Sequence, residues 1–82
     1  MSNLTKLLRA ERERCGLTLR ALAQASQISP AFLCEIEKGT RKPSPDVLRR
    51  LCSSLGTDYR KAVKQRIKDL ETLMLKRFGI ED

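Results

Sequence analysis

Apolar residues recur at spacings of three and four along most of the chain, which is the pattern of one face of an α-helix. Leu4 and Leu8 lie one turn apart, and so do Leu19 and Ala23. No run of alternating polar and β-branched residues occurs, so the sequence predicts an all-α fold without a sheet. The predicted helices 1 to 5 cover residues 4–15, 19–26, 30–38, 45–55 and 58–78.

Residues with particular backbone preferences mark the ends of these helices. Glycine is favoured just after a helix, and each glycine here follows an apolar stretch: Gly16, Gly39, Gly56 and Gly79. Hydroxyl side chains can accept a free N–H at a helix start, and they predict the N-caps Thr18, Ser29, Ser44 and Thr57. Pro30 and Pro45 stand at the first helical position, where the missing N–H has no cost.

The composition of the chain removes several functional classes. Its 82 residues allow one small domain, and we assign residues 1–82 to it. The absence of histidine excludes a Ser-His-Asp triad, a Cys-His nucleophile and a Cys₂His₂ zinc site. No paired carboxylates or phosphate-binding glycine loop stand out either. We therefore predict that the protein is not an enzyme and uses no cofactor.

The three cysteines do not form a recognisable site. No two of them are spaced as a CxxC pair, and an odd number of cysteines cannot close a disulfide framework; they are Cys15, Cys34 and Cys52. We predict no metal site and three reduced thiols, with Cys52 in the core. A redox-sensing role for Cys34 is the alternative.

The hydropathy of the chain also bears on its location. The longest apolar run is residues 31–34, which is far shorter than a membrane span of about 20 residues. Residues 1–14 are charged from Lys6 onward and contain no hydrophobic segment of signal-peptide length. The sequence predicts a cytoplasmic protein that makes no membrane contact.

Predicted helices 2 and 3 are short and are joined by about three residues, which is the arrangement of a helix-turn-helix. Leu22 and Ala23 on the first can meet Leu33 and Ile36 on the second, and Ile28 can fill the turn. Many small helical bundles contain such a corner, so this pattern alone does not decide the family.

Three stretches of the sequence resemble the Cro/phage-repressor (XRE-type) helix-turn-helix family. They are GLTLRALA at 16–23, ISPAFLCEIEKG at 28–39 and RKPSP at 41–45. The resemblance covers residues 4–63. It implies a five-helix, lambda-repressor-like domain that binds duplex DNA, with a four-helix core at 4–57 and an extended C-terminal helix at 58–78. It also suggests a bacterial, phage or plasmid origin.

The same resemblance assigns roles to individual residues. It implies that predicted helix 3 enters the major groove and reads bases through Pro30, Ala31, Phe32, Glu35 and Cys34. It also implies a structural ion pair between Arg12 and Glu37, which agrees with the need of a part-buried carboxylate for a partner. Packing beside Ile36 is the alternative for Phe32, and a solvated helix face is the alternative for Glu35.

Positive charge is concentrated after predicted helix 3. The protein carries a net charge of +7. Residues 38–50 hold five basic side chains against one acidic, with Arg50 among the five. Beside a helix-turn-helix, such cations can neutralise phosphates, and one of Arg41 and Lys42 can reach a groove edge. The predicted phosphate contacts are Thr18, Arg20, Lys38, Arg41, Lys42, Ser44 and Arg49. An ordinary solvated basic loop is the alternative.

The chain departs from the family pattern at three positions. Leu19 stands where the family usually has a phosphate-binding Gln, so Arg20 or Thr18 would replace that contact. Gln27 occupies a turn position where the family often has a left-handed Gly. Glu11 occupies a usually apolar position of the first helix. The last two departures concern stability and leave the fold intact.

Predicted helix 5 is longer than the family fold requires. Its apolar stripe follows a 4-3-4 spacing and must cover the core or meet a partner. Family members commonly dimerise through this region, which would place two recognition helices about one DNA turn apart. The predicted dimer residues are Val63, Ile67, Leu70, Met74 and Phe78. A membrane-surface helix is the disfavoured alternative, because the polar face has mixed charge.

The sequence therefore predicts a homodimeric, sequence-specific DNA-binding regulator. A repressor of phage, plasmid or restriction-modification controller type fits the length. The expected partner is an inverted-repeat operator, and no small-molecule ligand is expected because the chain has no room for a ligand domain. An antitoxin-like adaptor that mainly binds a protein is the alternative, since Phe32 and Glu35 are poor ligands for DNA.

Overall fold

Five α-helices make up the computed structural model, which describes residues 2–80. They are α1 (Asn3–Arg14), α2 (Leu19–Ala25), α3 (Pro30–Lys38), α4 (Pro45–Leu55) and α5 (Tyr59–Arg77). No strand occurs in this range, so the predicted all-α fold is confirmed. The predicted ends are wrong by one residue for α1, α2 and α5: the capping residues Cys15, Ser26, Asp58 and Phe78 were counted as helical, and α1 begins one residue earlier, at Asn3. Residues 1, 81 and 82 of the predicted domain lie outside the described residues.

The helix starts are held by side-chain caps. The hydroxyls of Thr18, Ser29 and Ser44 each accept the backbone N–H three residues on, as predicted. The prediction of Thr57 as the cap of α5 is wrong, because Asp58 accepts the N–H of Arg60 at 2.9 Å. A carboxylate is favoured there by the positive end of the helix dipole.

Four helices and the start of α5 enclose one apolar core. The buried apolar residues are Leu4, Leu8, Leu22, Ala23, Leu33, Ile36, Val47, Leu48, Leu51, Cys52, Leu55 and Ala62. Ala23 and Leu22 of α2 lie in the same cluster as Leu33 and Ile36 of α3, which is the contact that the pattern predicted. Burial raises the pKa of the Cys52 thiol above its ordinary value. This thiol therefore stays protonated at neutral pH and serves as an apolar core group.

A carboxylate of α5 holds the start of α1. Asp69 accepts the backbone N–H of Asn3 at 2.8 Å and that of Leu4 at 3.0 Å. These are two of the N–H groups that a helix start leaves without an internal partner. The negative charge also lies at the positive end of the helix dipole. Asp69 therefore fixes α5 against α1 at a point 66 residues away in sequence.

The turn between α2 and α3 contains the predicted left-handed residue. Gln27 has φ of 59° and is the only non-glycine residue with a positive φ among those the structure describes. Arg50 of α4 donates from Nη1 to the carbonyl oxygens of Ser26 and Gln27, both at 3.2 Å. Ile28 packs against the core beside the turn. The surrounding contacts therefore hold a side chain in a conformation that favours glycine.

Replacing Gln27 with Gly is expected to stabilise the fold by about 1 kcal/mol. The exposed Gln27 side chain makes no hydrogen bond in the described structure, so little is lost when it is removed. The free energy gained by relieving the left-handed strain exceeds the entropic cost of the added freedom of glycine in the unfolded chain. A melting curve should shift upward by about 4–8 °C. A level or lower melting temperature would contradict the expectation, and DNA affinity should stay close to that of the wild type.

Candidate nucleic-acid interface

An ion pair joins α1 to α3 behind the exposed surface of the helix-turn-helix. The carboxylate of Glu37, of which 1% is exposed, accepts from Nε of Arg12 at 2.8 Å and from Nη2 at 3.1 Å. Nη1 of Arg12 donates to the carbonyl oxygen of Leu17 at 2.9 Å. Arg9 adds a longer contact of 3.5 Å to Oε1. The hydrogen bond with Glu37 raises the pKa of Arg12, so this guanidinium stays charged.

The first turn of α3 presents an exposed apolar surface. Ser29 caps the helix by accepting the N–H of Phe32 at 3.1 Å, and Pro30 and Ala31 are exposed. Cys34 is half-buried one turn further along. Neither Pro30 nor Ala31 has a polar side-chain group. Their chemistry is limited to van der Waals contact with an apolar group such as a thymine methyl.

Phe32, Glu35 and Arg41 form a cluster beside that first turn. The guanidinium carbon of Arg41 lies 5.1 Å from the centroid of the Phe32 ring. Nη1 of Arg41 lies 3.5 Å from Oε2 of Glu35. Phe32 also packs against the core, so its ring contacts both the apolar core and the Arg41 guanidinium. Glu35 is not an isolated solvated carboxylate, because it has a cation beside it.

The other predicted phosphate ligands outside α4 differ in whether their side chains already have a hydrogen-bond or ion-pair partner. Thr18 and Ser44 accept from Ala21 at 3.0 Å and from Val47 at 3.2 Å, which leaves each hydroxyl proton available to an anion. Lys42 donates to the carbonyl oxygen of Gly39 at 3.4 Å. The remaining two, Arg20 and Lys38, are exposed and form no ion pair with any residue in 2–80.

The two arginines of α4 have partners within the fold. The guanidinium carbon of Arg49 lies 4.7 Å from the ring centroid of Tyr59, at the start of α5. Arg50 pairs with Asp46 at 3.2 Å and also binds the turn carbonyls described above. Arg50, one of the five basic residues of 38–50, thus supports the helix-turn-helix corner. Its spacing of four from Asp46 was the available sequence signal for the ion pair.

The exposed part of the apolar stripe of α5 begins at Ile67, one turn after Val63. Exposed fractions are 54% for Ile67, 42% for Leu70, 46% for Met74 and 73% for Phe78. Val63 is partly buried and packs against the core, because this part of α5 still lies beside α4, and its place in a dimer stays a prediction. Sequence analysis missed Leu73, which is 52% exposed at the edge of the stripe.

Two of the departures from the family pattern have local explanations. Leu19 packs against the apolar core at the start of α2 and offers no polar group to a phosphate. Glu11 accepts from Nε of Arg14 at 2.6 Å on the same helix. The carboxylate at a usually apolar position is thus satisfied by a neighbour on α1.

Two absences apply to the described part of the chain. Residues 2–80 contain no group of three or more Cys, Asp and Glu side chains placed to hold a metal ion. Among the same residues, every helix is too short or too polar to cross a bilayer.

Comparison with known proteins agrees with the geometry. A family model described as a helix-turn-helix domain matches residues 3–63, which include α1 to α4 and the first turn of α5. The chain belongs to the helix-turn-helix family. This helix-turn-helix domain contains the unit of α2, turn and α3 that the sequence predicted.

Similar proteins are named as transcriptional regulators. An uncharacterized regulator of this type, YqaF of Bacillus subtilis, is 39% identical over 56 residues, which make up 68% of this chain and 74% of that protein. An uncharacterized regulator of Mycobacterium tuberculosis is 40% identical over 48 residues, 58% of this chain. The matched part spans only 34% of the mycobacterial protein's length.

Solved structures include a similar fold. The crystal structure of the clp gene regulator ClgR from Corynebacterium glutamicum superposes with a TM-score of 0.73 at 30% identity. The superposition covers 93% of this chain and 81% of that one. Most of this fold is therefore similar to that of a clp gene regulator.

Proposed function

We propose that this protein binds duplex DNA at specific sequences and regulates transcription as a homodimer. The observation that carries the proposal is the exposed first turn of α3, with the basic residues of the following loop beside it. A protruding helix can enter the major groove, and flanking cations bind phosphates and release counterions. The exposed Arg20, Lys38 and Lys42 supply such cations.

The free N-termini of two helices support the same orientation on DNA. Thr18 begins α2 and Ser44 begins α4, and the backbone N–H groups at both starts favour an anion. Together with the loop cations, these N–H groups would bind the phosphates on either side of the groove. Such contacts fix the position of the protein, whereas the residues of α3 and its neighbours distinguish the bases.

The dimer would form through the exposed stripe of α5. Four large apolar side chains on this 19-residue helix are at least 42% exposed, Ile67, Leu70, Leu73 and Met74, and Phe78 at its C-cap is 73% exposed. Two copies related by a two-fold axis would bury these residues against one another. The dimer would then bind an inverted repeat and act as a repressor of phage, plasmid or restriction-modification controller type. A bacterial cytoplasm is the compartment that suits this activity.

Selection of bound duplexes from a random pool is the direct test of this function. The selected DNA should contain an inverted repeat with half-sites about one helical turn apart. Replacing Lys42 with Ala should weaken binding to selected and unrelated duplexes alike. It should also reduce the slope of log affinity against log salt concentration by about one unit. Lys68→Ala, a loss of the same charge on an exposed position of α5, is the control and should leave the slope unchanged.

The exposed stripe of α5 also favours a second candidate, an adaptor that binds another protein. An adaptor would select no DNA sequence, and its α5 stripe would be needed for a partner and not for self-association. The absence of any enriched motif would therefore reject DNA recognition and favour this candidate.

A further inference from the structure

We infer that Arg41 reads a guanine base and that Glu35 and Phe32 are positioning residues for its guanidinium. This inference deepens the proposed DNA recognition and rests on it. Arg41 is one of the predicted phosphate contacts, but its surroundings differ from those of the other basic residues.

The backbone that carries Arg41 is fixed to the end of α3. The carbonyl oxygen of Glu35 accepts the N–H of Thr40 at 3.0 Å and that of Arg41 at 3.3 Å. It also accepts the Thr40 hydroxyl at 3.2 Å. Three donors from two consecutive residues thus hold the start of the loop on one carbonyl group. The Cα of Arg41 therefore has a defined position relative to α3.

The side chain of Arg41 is held as well. The Phe32 ring lies below the guanidinium at 5.1 Å, and the Glu35 carboxylate lies 3.5 Å from Nη1. An aromatic face and a carboxylate together restrict how the guanidinium plane can turn. Arg41 nevertheless has 62% of its side chain exposed. The guanidinium is therefore oriented in advance and still accessible.

This arrangement suits a base better than a phosphate. A neighbouring carboxylate offsets the charge that attracts a phosphate, whereas Lys42 on the same loop forms no ion pair with any residue in 2–80. Reading of guanine depends on geometry, because two N–H groups must meet N7 and O6 together. The contact with Glu35 is made by Nη1, and no described residue accepts a hydrogen bond from Nε or Nη2. The exposed start of α3 has no donor of this kind, and Arg41 supplies it.

The test compares the base preferences of the full-length wild type and its variants in selections from random duplexes. The wild type should select a guanine at one position of each half-site. Arg41→Lys keeps the charge and removes the two-pronged donor, and it should lower the preference for that guanine by roughly 5- to 150-fold. Arg41→Gln should also lower it. Lys42→Ala is the matched loop control and should retain the guanine preference.

Glu35→Gln separates positioning from a merely structural role. It should weaken the preference at the same guanine and, by removing a negative charge, raise the affinity for unrelated duplexes. A structural defect would lower both. Melting temperatures close to that of the wild type show that each variant is folded.

Two results would overturn the inference. If Arg41→Lys and Arg41→Gln select the same bases as the wild type, Arg41 does not read a base, and the proposed DNA recognition stands without it. If the wild type itself selects no motif, the proposed function and this inference are both wrong.

Discussion

A Leu70→Asp variant is expected to be monomeric and to bind its operator about 10²- to 10⁴-fold more weakly than the wild type. Leu70 lies in the middle of the exposed stripe of α5, between Ile67 and Met74. An aspartate there would place an unpaired charge in the proposed dimer interface, where its desolvation is costly. Each half-site would then be bound by a single domain, without the gain in affinity that comes from linking two DNA-binding domains.

Sedimentation and DNA titration measure these two effects separately. Thr72→Asp introduces the same charge on the opposite face of α5, and it should leave both dimerisation and operator affinity unchanged. A wild type that sediments as a monomer at tens of micromolar would contradict the proposed dimer. A Leu70→Asp protein that still dimerises would place the interface elsewhere.

An Arg12→Ala variant is expected to lose about 3–5 kcal/mol of stability, because it leaves the buried Glu37 carboxylate without its main partner. The total stability of a domain is only about 5–15 kcal/mol, so this one change removes a large part of it. Arg12 makes two hydrogen bonds to Glu37, and it also donates to the carbonyl oxygen of Leu17. Its loss affects both contacts.

Urea denaturation of three variants can separate the contributions. Arg9→Ala removes only a partly exposed contact of 3.5 Å and should cost about 1 kcal/mol or less. The double variant Arg12→Ala/Glu37→Gln no longer buries an unpaired charge and should be more stable than Arg12→Ala. An Arg12→Ala protein with wild-type stability would show that the pair does not hold α1 to α3.

The helices were predictable because short-range signals agree with one another along this chain. Ser29 and Pro30 begin α3, and Gly39 with φ of 82° ends it. A cap, a proline and a left-handed glycine each act within a few residues. Thr57 was the exception, since two adjacent residues could cap α5 and only the structure shows that Asp58 does so.

Contacts between distant residues could not be predicted in the same way. No local signal marks Asp69 as a ligand of α1, because its two hydrogen bonds to that helix depend on how the helices cross. Arg50 and Arg41 have the same charge and lie in the same basic region. One supports a turn and the other lies on an aromatic ring, and composition alone does not separate the two cases.

The two attachments of α1 give this helix a mechanical role. Its first residues are bound by Asp69 of α5, and Arg12 near its other end binds Glu37 of α3. A helix of 12 residues is a stiff rod about 18 Å long. In the proposed dimer this rod would transmit the position of the α5 pair to each α3. The tolerance of the protein for operators with altered half-site spacing would thus be set by the bending of α1 and its two anchors.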